Sequence, residues 1–135
     1  MTAVDTNVLV RLLTGDNPAQ AFAARAVFEA GPVWIAKTVL LETDWVLRSR
    51  YGFDAAATRS ALSKLLGLDN VRSEDGAAVA AALELTGRGI EFADALHLCS
   101  RPAGTRFVSF DRAFVRRARH AGALLVASPP DAGAR

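Results

Sequence analysis

The sequence predicts an α/β fold: one domain on a central parallel sheet of about five short strands, with helices on both faces. Two observations carry that reading. Short apolar runs bounded by turn residues alternate with longer stretches of helical periodicity along most of the chain. Such alternation implies parallel strands joined by crossover helices. The length of 135 residues matches one domain with a sizeable core.

The elements follow in order. Residues 2–4, TAV, form a first short strand, and NVLVRLL opens a helix that Thr6 or Asn7 can cap. Pro18 suits the first turn of the next helix, which Gly31 and Pro32 end. VWIA is the second strand, followed by a helix from about Thr38 to Arg50 that Gly52 closes. Asp54 caps a fourth helix through Leu66. A weak strand surrounds Val71. A fifth helix spans about Glu74 to Thr86 and stops at Gly87 and Gly89, and a sixth carries EFADALHLCS up to Pro102 and Gly104. RFVSF reads as a strand, DRAFVRRARHA as a helix and ALLVA as the last strand. Residues 1–127 then make the domain, and 128–135, SPPDAGAR, a flexible tail.

Composition narrows the function classes. Apolar residues make up 51% of the chain, enough to exclude wholesale disorder. The single cysteine, Cys99, excludes an internal disulfide framework and favours a reducing compartment. No cationic lead or long apolar run precedes Asp5, so no secretory leader is expected, and no stretch approaches membrane-spanning length. A cytoplasmic protein is the expectation. The net charge of +2 is small, but assigning several acids to one pocket leaves the remaining surface more basic, which is compatible with a polyanionic substrate.

Those acids are the chemical signal. Asp5 and Asp111 each follow a short apolar run and open a helical pattern, where an open α/β sheet places its active-site crevice. Glu42 and Asp94 interrupt helical patterns that are otherwise apolar, and a carboxylate there needs a partner. For several converging carboxylates that partner is a hard divalent cation, Mg²⁺ or Mn²⁺.

DTNVLVRLL, LETDWVL, FADALHL and FVSFDRAF, in that order and in a chain of this length, resemble the PIN-domain ribonucleases, and most closely the VapC-type toxins of bacterial toxin–antitoxin pairs. The likeness runs from Asp5 to about Val126. One departure is Ser109, where the family often has Thr two residues before the last acid. The resemblance implies a PIN-like domain with metal-dependent endoribonuclease activity, and Asp5, Glu42, Asp94 and Asp111 as its acidic set. Asp5 and Asp94 are the expected metal ligands, while Glu42 and Asp111 bind directly, through water or to a second ion. Thr6, Asn7 and Ser109 are candidates to orient a carboxylate or a water. The family also implies a cognate antitoxin whose C-terminal segment covers the catalytic face, and a homodimer.

Plainer roles stand beside these. Asp5 and Asp111 suit helix caps, Glu42 could pair with Arg48 or Lys37, and Asp94 could be a surface acid. Glu91, one turn before Asp94, could join the pocket or serve the helix dipole, and His97 reads first as structural. Trp34 and Trp45 are expected in the core. Arg112, Arg116 and Arg119 recur on one helix face, either as phosphate contacts for RNA or as a solvated basic face. Two further functions compete with the nuclease. One is a non-catalytic PIN-like module that binds RNA or protein, which has no reason to keep mutually repelling acids. The other is an aspartyl phosphatase, for which DTN lacks the second acid of DxD and neither Lys37 nor Lys64 fits.

Overall fold

The computed structural model describes residues 1–130, so Asp131–Arg135 of the expected tail lie outside the described residues. The chain divides into two compact units, one of residues 1–80 and one beginning at Ala81.

The first unit is built on three parallel strands, β1 (Thr2–Ala3), β2 (Val33–Ile35) and β3 (Val71–Ser73), hydrogen-bonded in that order. Thr2 is in register with Val33, and Val33 with Val71. Two helices separate each pair of successive strands, as parallel connections require. α1 (Thr6–Thr14) and α2 (Pro18–Glu29) pack on each other, and α3 (Lys37–Arg50) packs on α1 and on α4 (Ala55–Leu66). Leu9, Val33, Ile35, Leu40, Leu47 and Leu62 are fully buried and form the centre of this core.

Local signals set the helix ends. The Asp54 carboxylate accepts from the Ala57 amide and the Asn17 side chain from the Gln20 amide, the latter with Pro18 in the first turn. α1 is capped one residue earlier than expected. Asp5, not Thr6 or Asn7, accepts from the Val8 amide at 3.2 Å, because Thr6 is already helical and buried. Gly15, at φ 66°, ends α1 in the left-handed conformation that only glycine adopts without strain.

A polar clasp holds the start of α2 to α1. Arg11 donates to Gln20 at 2.7 Å and to both oxygens of Asp16, while the Tyr51 hydroxyl donates to Asp16 at 2.6 Å. The Tyr51 hydrogen bond, with help from Thr14 and Arg11, holds the Asp16 carboxyl below its ordinary value against the cost of desolvation. A depressed folded-state pKa stabilises the fold above the unfolded value and loses that contribution as pH falls through the folded one. Tyr51→Phe is therefore expected to lower the melting temperature slightly at neutral pH and to converge with wild type in acid. Melting curves taken from neutral to about pH 2 test this, and parallel curves with a constant offset would assign Tyr51 a packing role only.

The second unit holds most of α5 (Gly76–Thr86), then α6 (Phe92–Cys99), β4 (Phe107–Val108), α7 (Arg112–His120) and β5 (Val126–Ala127). β4 and β5 pair in parallel, Phe107 with Val126, and α7 packs on β5. Phe107 meets Phe114 of α7 edge to face, with ring centroids 5.6 Å apart.

The sheet differs from the expected one. Among the described residues the main sheet has three strands, not about five, and β4 and β5 form a two-stranded pair of their own. Both are shorter than their apolar runs. Leu125 sits at φ 59°, outside the extended region, so the strand in ALLVA begins only at Val126, although the Leu125 carbonyl accepts from the Phe107 amide at 2.9 Å. RFVSF ends at Val108: the Ser109 amide makes the last bond across, to the Ala127 carbonyl at 3.1 Å, its hydroxyl accepts from the Asp111 amide in the turn that follows, and Phe110 is left 87% exposed. Among the described residues no helix is long and apolar enough to cross a membrane.

Candidate functional site

The four acids fall two to a unit, Asp5 and Glu42 in the first, Asp94 and Asp111 in the second. Asp5 follows β1 and caps α1 through Oδ1. Glu42, exposed on α3, accepts a short hydrogen bond at Oε1 from the Thr6 hydroxyl. Thr6 is buried, and this bond ties its hydroxyl to the Glu42 carboxylate. Asn7 is exposed and shares with Asp5, Arg11 and Gln20 the rim of a cavity of about 420 Å³ that also meets the apolar Val8 and Val27.

In the second unit Asp111 caps α7, accepting from the Phe114 amide at 3.0 Å. The half-buried Ser109 accepts from the Asp111 backbone at 3.0 Å and so shapes the turn that presents this acid. Asp94 lies in the first turn of α6, partly buried beside Phe92 and Ala95. Burial raises its pKa first, repulsion from Glu91 and Asp111 raises it further, and His97 opposes them. Glu91 makes no side-chain cap bond to α6, so its charge is felt by Asp94 rather than spent on the helix end.

None of these five acids forms an ion pair with a lysine or arginine among the described residues. The two cations that the plainer reading offers Glu42 are engaged elsewhere. Arg48 pairs with the buried Asp44 at 2.9 Å and Lys37 with Asp75 at 3.2 Å. Carboxylate oxygens left without protein cations are the donor set that suits a hard divalent ion. Among the described residues no group of three or more His, Cys, Asp or Glu side chains is assembled to hold a metal ion.

Trp34 is half-buried and Trp45, expected in the core, is 55% exposed. Trp45 stands one turn after Glu42 on α3, and the Arg50 guanidinium lies 6.0 Å from its ring centre. Cys99 is half-buried, its thiol pKa raised by burial.

The arginine pattern of α7 resolves into a recess of about 940 Å³. Arg116 and Arg119 line it, and Arg112 does not. Arg88, Arg117 and His120 join them, three residues that periodicity on one helix face misses. Arg88 stands between Gly87 and Gly89 in the turn after α5, and a lone arginine between two glycines is the signal that a sequence offers for it.

Residues 2–120, a span that contains all four acids, match the family described as PIN domain. No curated protein matches the chain.

Proposed function

This chain belongs to the PIN-domain family, and from that premise we propose that it is a metal-dependent endoribonuclease, the toxin of a toxin–antitoxin pair. PIN domains are generally nucleases that use divalent cations. The observation that carries the reading is the set of acids lacking protein cations, all inside the matched span. In this proposal Asp5 and Asp94 bind Mg²⁺ or Mn²⁺, with Glu42 and Asp111 completing the acidic set. The cation, when bound, lowers the pKa of a water and offsets charge on the phosphoryl oxygens. The chain's own residues orient the ligands. Thr6 fixes Glu42, and Ser109 fixes the backbone of Asp111.

The cap bonds matter to this scheme. Asp5 and Asp111 each commit one oxygen to a helix amide, which locks the carboxylate and leaves its second oxygen to bind a cation. A cognate antitoxin, a homodimer and a cytoplasmic setting complete the reading, supported by the resemblance of DTNVLVRLL, LETDWVL, FADALHL and FVSFDRAF to VapC-type toxins. Incubating the purified protein with total RNA, with Mg²⁺ or with EDTA, and sequencing the new RNA ends tests it. Discrete ends that need the metal are expected. Intact RNA under both conditions, with RNA still bound, would instead indicate a non-catalytic binding module.

A further inference from the structure

We infer that the recess at the C-terminal end of α7 is a separate binding site for the backbone phosphates of single-stranded RNA. It rests on the nuclease reading only for the identity of the polyanion. Arg88, Arg116, Arg117, Arg119 and His120 surround about 940 Å³. None has a carboxylate partner among the described residues. Four guanidinium groups in one concavity repel one another and raise the local concentration of anions, and His120 adds a polar group beside them.

The helix dipole does not explain the arrangement by itself. It favours cations in the last turn of α7, where Arg117, Arg119 and His120 stand. Arg88 belongs to a different segment, the turn between Gly87 and Gly89, yet it lines the same recess. Arg119 donates its Nε to the Val126 carbonyl at 2.8 Å, so its remaining guanidinium donors are held in place. A fixed planar donor group beside exposed ones suits a phosphodiester, which accepts at two oxygens.

The position separates this site from the acids of its own unit. α7 begins just after Asp111 and runs to His120, so its C-terminal end lies about 12 Å along the axis from that carboxylate. The recess would therefore grip phosphates away from one held at Asp111. Interactions of this kind position a strand without reading its sequence. The α7 face comprising Arg112, Arg116 and Arg119 is thus divided, with Arg116 and Arg119 serving the recess.

Binding of a labelled single-stranded RNA to the full chain in EDTA, across a range of salt, tests the inference without catalysis. Arg88→Gln is one variant and Arg116→Gln combined with Arg117→Gln another. Both act on exposed side chains, and Arg119 is left in place because it holds β5. Affinity should fall several-fold for RNAs of unrelated sequence, and the slope of log K against log salt should shrink by about 0.7 for each phosphate no longer neutralised. Unchanged affinity and slope in both variants would overturn the site. So would unchanged RNA binding together with abolished binding of an oligoglutamate peptide, which assigns the recess to an acidic protein segment. RNA held through the recess but never cut would leave this inference standing and remove the nuclease reading. Metal-dependent cutting with variants that bind like wild type would do the reverse.

Discussion

Asp5→Asn and Asp94→Asn should each reduce RNA hydrolysis by at least about 10²-fold, the scale of removing one electrostatic stabiliser of a transition state. The exchange keeps the shape and removes the charge that a hard cation needs. At Asp5 it also keeps the fold, because asparagine caps helices as well as aspartate and can still accept from the Val8 amide. At Asp94 the fold gains, since the group removed is one whose charged form burial and two neighbouring acids disfavour. A fall in activity in either variant therefore cannot be traced to a damaged fold. Asp54→Asn supplies the control: the same chemical change at a cap of the same kind, on α4, should leave cleavage intact. The measurement is initial cleavage of labelled RNA in Mg²⁺, beside a thermal melt of each variant. Wild-type rates in folded Asp5→Asn or Asp94→Asn protein would remove that residue from the metal site.

Some helices of this chain are legible because they carry their own start signal, whereas α3 and α6 begin without a side-chain cap bond. Asp54 and Pro18 mark their helices to within a residue, the first by a local bond between its side chain and an amide three positions on, the second by its fixed backbone angle in the first turn. The strands are less legible. An apolar run says that a segment is buried or extended, but not how far it pairs. At ALLVA one residue, Leu125, takes a left-handed conformation that no propensity predicts, and at RFVSF the Ser109 amide still reaches the Ala127 carbonyl while its hydroxyl shapes the turn that follows. The acids can be found from their contexts, an acid after an apolar run or within an apolar helix. Their partners cannot. Arg48 is four residues from Asp44 and six from Glu42, and only the helix geometry decides that it pairs with Asp44. The size of Trp45 points to the core, yet the residue lies on the open side of α3, where aromatic bulk is no guide. Arg88 shows the same limit. Its place in the recess comes from a turn between two helices, and spacing along one helix carries no trace of it.

Millimolar Mg²⁺ or Mn²⁺ should raise the melting temperature of protein first stripped with EDTA. A ligand that binds only the folded state adds RT ln(1 + [L]/Kd), so metal at about 10 to 100 times Kd corresponds to roughly 5–10 °C for a chain of this size. The electrostatics of the second unit give this a distinctive pH signature. The folded-state pKa of Asp94 is raised, chiefly by burial and then by Glu91 and Asp111. For an acid, a raised folded pKa means that the charged form is less stable in the fold than in the unfolded chain. The penalty is absent below the unfolded value, grows as pH climbs through the interval up to the folded value, and is constant above it. Above that interval the metal-free fold carries it in full. A cation at Asp94 removes the penalty by favouring the charged form, so the thermal gain from metal should be present at neutral pH and vanish in acid, where protons occupy the carboxyl. Asp94→Asn should melt higher than wild type without metal at neutral pH, match it in acid, and respond less to metal. A wild-type melting temperature that metal leaves unmoved at neutral pH would sink the proposed ion site. A full metal response surviving in Asp94→Asn would move the site away from α6, to acids such as Asp5 and Glu42 whose geometry is set by α1 and α3.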